Sequence, residues 1–250
     1  MDSHRDAVRF RLEDDGIGYL QIHRPETDNA INQHLVDALR QTLATHHRTM
    51  RILVLEGLPH VFCIGAELDS VAQGESCSAV DLYDLWVELS HGHFITVAHV
   101  RGKAQAGGIG FVSACDIVLA DTTATFALPE MIFGLFPACV LPFLVRRVGR
   151  QKAHYMTLMN APVEVEDAHR WGLVDAFAGD SVNLLRRHLL RLRRLSKSAI
   201  TAYKSYRADL DPSLATVRDT AVEANRQLFS NPEHIADIVR FVQTGEFPWQ

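Results

Sequence analysis

No apolar run in this sequence approaches the ~20 residues that cross a bilayer. None follows the charged opening Met1-Asp2-Ser3-His4-Arg5-Asp6 as a secretory core would, so a cytoplasmic location without membrane attachment is expected. Cysteine is scarce as well. Cys63, Cys77, Cys115 and Cys139 are scattered and form no CxxC pair, which points away from a disulfide framework or a zinc cage. His91-x-His93 is the nearest approach to a metal pair, but it lacks a carboxylate or further ligand at useful spacing, and a structural or pocket role is expected. Excess positive charge is missing: 25 Lys and Arg against 30 Asp and Glu leave a net charge of -5, with no general attraction for nucleic acid. Glycine is held to 15 of 250 residues, while 47% of the chain is hydrophobic and 22% charged, so a full core can be buried and disorder is excluded.

What is present alternates strand and helix. Val8-Arg9-Phe10-Arg11-Leu12-Glu13 has the period of a half-buried strand, Asp14-Asp15-Gly16 marks a turn, and Ile17 to His23 gives the second arm of a hairpin. Asn32 stands where a helix N-cap belongs, with Leu35, Leu39 and Leu43 on one face. Ile52-Leu53-Val54-Leu55 reads as a strand buried on both sides. A helix around Leu82–Leu89, a strand at Ile95–Val100, a helix after Gly107-Gly108 and a strand at Ile117–Leu119 continue the α/β pattern. From about Val140 onward every segment reads helical, with Gly172 stopping a short helix and longer ones following around 184–195, 199–210, 214–229 and 235–242. The expected division is therefore an α/β core over residues 1–180 and a helical region over 181–250.

Three segments carry chemistry. His60-Val61-Phe62-Cys63-Ile64-Gly65-Ala66-Glu67-Leu68 and Lys103-Ala104-Gln105-Ala106-Gly107-Gly108-Ile109-Gly110-Phe111 each follow an apolar strand. Their glycines let backbone approach a ligand and leave N–H groups unpaired at a helix start, where an anionic oxygen is welcome. In Phe126-Ala127-Leu128-Pro129-Glu130, the acid precedes the apolar Met131-Ile132-Phe133. A carboxylate in such surroundings is a candidate general base whose pKa is raised by desolvation.

The order and spacing of these three segments resemble the crotonase (enoyl-CoA hydratase/isomerase) superfamily. His23-Arg24-Pro25, Asn29-Ala30-Ile31-Asn32, Cys115-Asp116-Ile117-Val118-Leu119-Ala120, Val148-Gly149, Glu166-Asp167-Ala168 and Gly172-Leu173-Val174-Asp175 extend the likeness over almost the whole chain. The resemblance implies a crotonase-like ββα spiral followed by C-terminal helices that form a homotrimer or dimer of trimers. It implies backbone N–H groups of Ile64 and Gly107 as an oxyanion hole for a thioester enolate, and Glu130 as the acid/base. It also implies a pantetheine path along Gly65, Ala66, Glu67 and Leu68. No cofactor is implied beyond the phosphopantetheine that carries the substrate. One departure stands out: two-carboxylate hydratases of the superfamily have a second glutamate where this chain has Gly110.

Longer strings narrow the resemblance. Tyr83-Asp84-Leu85-Trp86, His99-Val100-Arg101-Gly102-Lys103, the run from Phe136 to Leu144, the run from Gly149 to Met159 and the ending Thr244-Gly245-Glu246-Phe247-Pro248-Trp249 are similar to polyketide-synthase-associated dehydratases of the β-branching cassette. That subgroup removes water from 3-hydroxy-3-methylglutaryl on an acyl carrier protein. A double-bond isomerase with a single glutamate is the alternative. In this setting Tyr83 is a candidate hydroxyl in the acyl pocket, and Lys103 a candidate partner for the distal carboxylate. Between Asp180 and Asp209 lie Arg186, Arg187, Arg191, Arg193, Arg194, Lys197, Lys204 and Arg207 with no acidic residue. This segment reads as a solvated helical face, as a docking surface for an acidic carrier protein, or, in a different class of function, as an RNA-binding face that lacks interleaved aromatics. The apolar stripes Leu214/Val217/Ala221/Leu228 and Ile235/Ile238/Val239/Val242 are candidates for the subunit contact.

Overall fold

A computed structural model describes residues 7–250; the Met1–Asp6 opening lies outside the described residues. Along the chain come β1 (Val8–Leu12), β2 (Ile17–Ile22), α1 (Gln33–His46), β3 (Ile52–Glu56), β4 (Val61–Cys63), α2 (Leu68–Ala72), α3 (Ala79–His91), β5 (Ile95–Val100), β6 (Lys103–Gln105) and α4 (Gly107–Ala114). Then follow β7 (Ile117–Ala120), β8 (Thr125–Ala127), α5 (Leu141–Met159), β9 (Val163–Glu164), α6 (Val165–Arg170), β10 (Ala176–Phe177), α7 (Ser181–Leu192), α8 (Lys197–Leu210), α9 (Ser213–Ser230) and α10 (Pro232–Thr244).

The larger sheet has the order β1-β2-β3-β5-β7-β10. Its first pair is the expected hairpin, antiparallel from Val8 opposite Ile22 to Leu12 opposite Gly18, and its other neighbours are parallel. Strands with cover on both faces read as unbroken apolar runs, and β3 shows why. Leu53 and Leu55 enter the main core with Ala98 and Val118, whereas Ile52 and Val54 enter a second cluster with Val97, Leu119 and the α7 residues Leu184, Leu185 and Leu189. Helix α7 thus seals the second face of the sheet. This cover comes from a helix beyond the boundary expected at residue 180.

The smaller sheet, β4-β6-β8-β9, escaped the sequence reading. Its strands have two or three residues each, too few for a period of two to register. Strands β4, β6 and β8 run parallel and β9 antiparallel. Strands β9 and β10 also interrupt the all-helical stretch expected beyond Val140. Asn32 caps α1 as expected, its Oδ1 accepting from the Leu35 N–H at 3.0 Å. Gly149 breaks α5 into two helices with φ 77° and ψ 164°, a backbone state that a side chain would strain.

The last helices turn back onto their own chain. Helix α9 packs on α3 and α5, and α10 lies over α2 and the 3-10 turn Glu130–Phe133. Leu228 and Ile238 join Val71, Phe133 and Leu135 in a third apolar cluster, with Ile235 and Val242 against it. Leu214 and Ala221 are buried within the chain, and Val217 alone of its stripe is exposed. Most residues of the two stripes are therefore covered within the chain, where these helices roof the cavity described next.

Candidate active site

Parallel neighbours deliver their following loops to the same sheet edge, where ligands of α/β folds gather. Here β4, β6 and β8 are such neighbours, and they send out Ile64–Leu68, Ala106-Gly107 and Leu128-Pro129-Glu130 together. All three segments singled out from the sequence meet there.

The first loop is held from below by a buried polar frame. The Arg24 N–H donates to Asn29 Oδ1 at 2.8 Å, Arg24 Nη1 to the Ala30 carbonyl at 2.5 Å, and Asn29 Nδ2 to the Phe62 carbonyl at 3.0 Å. The Ile31 N–H donates to the Gly65 carbonyl at 2.6 Å, and the Glu67 N–H to the Ile31 carbonyl at 3.0 Å. Glu67 completes the frame: Oε1 accepts from Arg24 Nη2 at 3.0 Å, and Oε2 accepts from Asn32 Nδ2 at 2.8 Å and Ser70 Oγ at 3.0 Å. Burial pushes its pKa up, but the Arg24 and Ser70 hydrogen bonds and the Arg24 charge outweigh it and hold the carboxyl below its ordinary value.

The second loop presents an open helix start. Ala106 precedes α4 with φ 48° and ψ -122°, and no side chain caps the helix, so the N–H groups of its first turn have no capping acceptor. A residue with a side chain at positive φ is strained, and such strain gathers at working sites. Glycine is required around it by proximity. A Cβ on Gly65 would lie 2.4 Å from Ala106 Cβ and 3.1 Å from the Gly107 nitrogen, and one on Gly108 would lie 2.3 Å from the Cys63 carbonyl oxygen. Ile64 is thus one residue from the point where the two loops touch.

These loops open on a cavity lined by Ala66, Glu67, Trp86, Gly107 and Glu130 among others. Glu130 Oε2 is out of contact with solvent and has no hydrogen-bond partner. Desolvation raises its pKa to about 7, against a smaller lowering effect of its own backbone N–H. The cavity lining contains no lysine or arginine; besides Glu67, Glu75 and Glu130, its polar groups are those of Ser76, Cys77, Trp86, Cys139 and Asn225. All four cysteines are free, and burial pushes each thiol up to about 12, so none offers a thiolate.

Gly110 is filled from outside. A Cβ there would lie 2.4 Å from Trp86 Cζ2 and 2.5 Å from Cη2, so the indole occupies the room that a second carboxylate would need. Phe111 and Phe143 hold that indole edge-to-face, each with its centroid 5.7 Å away.

Two expectations are corrected. Tyr83 is fully buried, and its hydroxyl donates to the Leu214 carbonyl at 2.8 Å, tying α3 to α9 rather than facing substrate. Lys103 is exposed on β6 and is absent from the cavity wall, since the residue whose side chain faces inward there is its neighbour Ala104. The basic segment is also smaller than its sequence implies. Arg193 pairs with Glu13 and Asp15, and Lys197 Nζ donates to the carbonyls of His47, Met50 and His93. Lys204, 2% exposed, and Arg207 both bind Asp116. Arg186, Arg187, Arg191 and Arg194 remain exposed. Among the described residues, no group of three or more His, Cys, Asp and Glu could hold a metal, and no helix is long and apolar enough to cross a membrane. Trp86, Asn225 and Phe229 line the cavity but were not singled out from sequence. Only Trp86 gave a signal, being the one large residue of α3 that faces a run of glycines.

The sequence profile described as enoyl-CoA hydratase/isomerase matches residues 13–250. The chain is 50% identical to the bacillaene synthase dehydratase PksH of Bacillus subtilis (strain 168), over 97% of this chain and 95% of that protein. It is 28% identical to the 2,3-dehydroadipyl-CoA hydratase of Escherichia coli (strain K12), over 84% of each. A crystal structure of the polyketide biosynthesis enoyl-CoA hydratase pksH from Bacillus subtilis superposes with a TM-score of 0.94 at 48% identity, covering 97% of this chain and 99% of that one. An enoyl-CoA hydratase from Mycobacterium avium shares the fold, with a TM-score of 0.84 at 23% identity and all of both chains covered.

Proposed function

The chain belongs to the enoyl-CoA hydratase/isomerase family, and from that premise we propose that it is a dehydratase of polyketide biosynthesis. Its substrate in this reading is 3-hydroxy-3-methylglutaryl carried by phosphopantetheine on an acyl carrier protein, and its product is the 3-methylglutaconyl thioester. The observation that carries the reading is Glu130: a carboxyl with Oε2 unpartnered and a pKa of about 7, in the wall of a cavity whose second-carboxylate position is glycine packed under Trp86.

The chemistry needs one base used twice. The N–H groups of Ile64 and Gly107 hold the thioester oxygen as charge builds on it, an effect worth roughly 3 kcal/mol per donor in comparable sites. Glu130 takes the α proton, the C–H pair becomes the enolate, and the C3–O bond then breaks with its electron pair leaving on the hydroxyl. That oxygen takes the proton from Glu130 and departs as water. A pKa near neutrality suits both halves of this exchange. Gly65, Ala66 and Leu68 flank the pantetheine arm, Glu67 fixes their loop, and Ser76 and Asn225 receive the distal carboxylate. No cofactor beyond the carrier's phosphopantetheine takes part.

The test is incubation with 3-hydroxy-3-methylglutaryl carrier protein and intact-mass detection of the loss of one water. No water loss, together with double-bond migration in an enoyl thioester, would favour the isomerase. Salt-dependent retention of RNA on a filter would favour the RNA-binding class, against which half of the basic segment is already committed within the chain. Charge reversal at Arg187, Arg191 and Arg194 should slow reaction with carrier-bound substrate and spare a short pantetheine thioester, if that face meets the acidic carrier. Assembly as a trimer or pair of trimers belongs to the same reading. Exposed Tyr203, Tyr206 and Leu210 on α8, with Leu158 and Met159 at the end of α5, supply apolar surface for it. Light scattering at a monomer mass would rule the assembly out.

A further inference from the structure

Two polar groups of opposite kind are left unsatisfied in residues that line one cavity. Glu130 Oε2 is an acceptor and Trp86 Nε1–H a donor; both atoms are out of contact with solvent, and neither has a hydrogen-bond partner. A buried donor without an acceptor weakens the fold, so a chain keeps one where a ligand or water meets it. The indole has no freedom to find an acceptor elsewhere, since Phe111 and Phe143 pin it edge-to-face. Its orientation is set by α4: a Cβ on Gly110 would lie 2.4 Å from Cζ2 and 2.7 Å from Cε2, and one on Gly107 3.9 Å from Cζ2. Nε1 is bonded to Cε2 and so lies beside the ring atoms that pack on Gly110, in a residue of the cavity wall.

We propose that Trp86 Nε1–H is the hydrogen-bond donor to the departing hydroxyl of the substrate, and that it selects 3-hydroxyacyl thioesters over their deoxy counterparts. The inference rests on the dehydratase reading above. An indole N–H donates and does not accept. It therefore stabilises the oxygen as the C3–O bond lengthens and the electron pair moves onto it, while the proton that completes the water comes from Glu130. One carboxyl then suffices where two-carboxylate relatives use a second acid. The glycine at position 110 is the condition for this arrangement, because any side chain there would displace the ring. The product has lost the C3 oxygen that Nε1–H binds, so this contact holds substrate and not product.

Trp86→Phe removes the N–H and keeps an aromatic ring. With 3-hydroxy-3-methylglutaryl thioester, the rate of water loss should fall about tenfold or more. Hydrogen–deuterium exchange at the α carbon of the 3-methylglutaryl thioester, which has no hydroxyl, should fall far less. Equal falls would make Trp86 a packing residue, and an unchanged rate of water loss would remove it from the reaction; either overturns the proposal. If Trp86→Phe does not fold, the indole ¹⁵N–¹H spectrum of folded Glu130→Gln decides, with only three tryptophans to assign. The Trp86 signal should move downfield on adding the hydroxy thioester and stay in place with the deoxy one; the same response to both overturns the proposal. A wild-type enzyme that removes no water overturns the dehydratase reading and this inference together. An active wild type with an equally active Trp86→Phe overturns this inference alone.

Discussion

Glu67 and Glu130 line the same cavity and hold opposite conditions. Glu67 has both oxygens committed, to Arg24, Asn32 and Ser70, and its pKa lies below the ordinary value. Glu130 has an oxygen with no partner, and its pKa stands at about 7. Burial pushes both upward; what separates them is the supply of donors. A carboxylate with its hydrogen bonds filled fixes a loop. One denied them is kept ready to trade a proton. The same residue type at one wall thus serves as frame and as reagent, and neighbours decide which.

The comparison breaks most visibly if the two are interchangeable. Glu130→Gln should lower turnover about 10³-fold, within the range for a general acid/base, while the circular dichroism spectrum stays that of wild type. Retention of a tenth of the activity would end the assignment. Glu67→Ala should act chiefly on stability, because it strands the guanidinium of Arg24, whose side chain is only 10% exposed. A loss of about 3 kcal/mol is expected in urea unfolding, with turnover falling as the loop loosens. A variant as stable as wild type would show that the frame is dispensable.

A pH titration of stability sharpens the contrast. Glu130 has a folded pKa of about 7 against an ordinary 4.5, so the folded chain binds the extra proton between these values. Its contribution is fully present below pH 4.5, declines as pH rises, and levels off above about 7, a loss of up to about 3 kcal/mol. Glu130→Gln should therefore match wild type near pH 4 and be the more stable protein at pH 8; parallel curves would contradict the desolvated carboxyl. Smallest is the effect of Gly110→Ala, about 2 kcal/mol of overpacking against Trp86. A neutral substitution there would show that the indole can move and that a second acid could be accommodated.

Much of this was legible from residues alone. The hairpin, the doubly buried β3 and the Asn32 cap follow local rules of period and capping. The three segments that meet at the cavity were legible too, because glycine pairs and a lone acid among apolar residues are local features. What could not be read depends on distant partners. The Tyr83 hydroxyl is claimed by Leu214, 131 positions on, and only the packing of α9 on α3 reveals it. The basic run looked free because Asp116, Glu13 and Asp15, which pair with three of its eight members, lie far away in sequence. That α7, beyond residue 180, covers the sheet could not be read, because an amphipathic helix does not say which surface it will cover. Trp86 was quoted only as part of a string; its unpaired N–H has no counterpart in sequence.

The roof over the cavity has a consequence for how the protein comes into being. Asn225 and Phe229 of α9 line the cavity, and α10 packs over the turn that begins with Glu130. All of these residues leave the ribosome after the strands and glycine loops have been made, and chains fold largely in the order of synthesis. A growing polypeptide that has not yet made α9 and α10 carries Glu130 without this cover. Cover for Glu130 thus comes from sequence far downstream of it, and a protease that cut the chain behind Pro212 would remove that cover without touching a single strand.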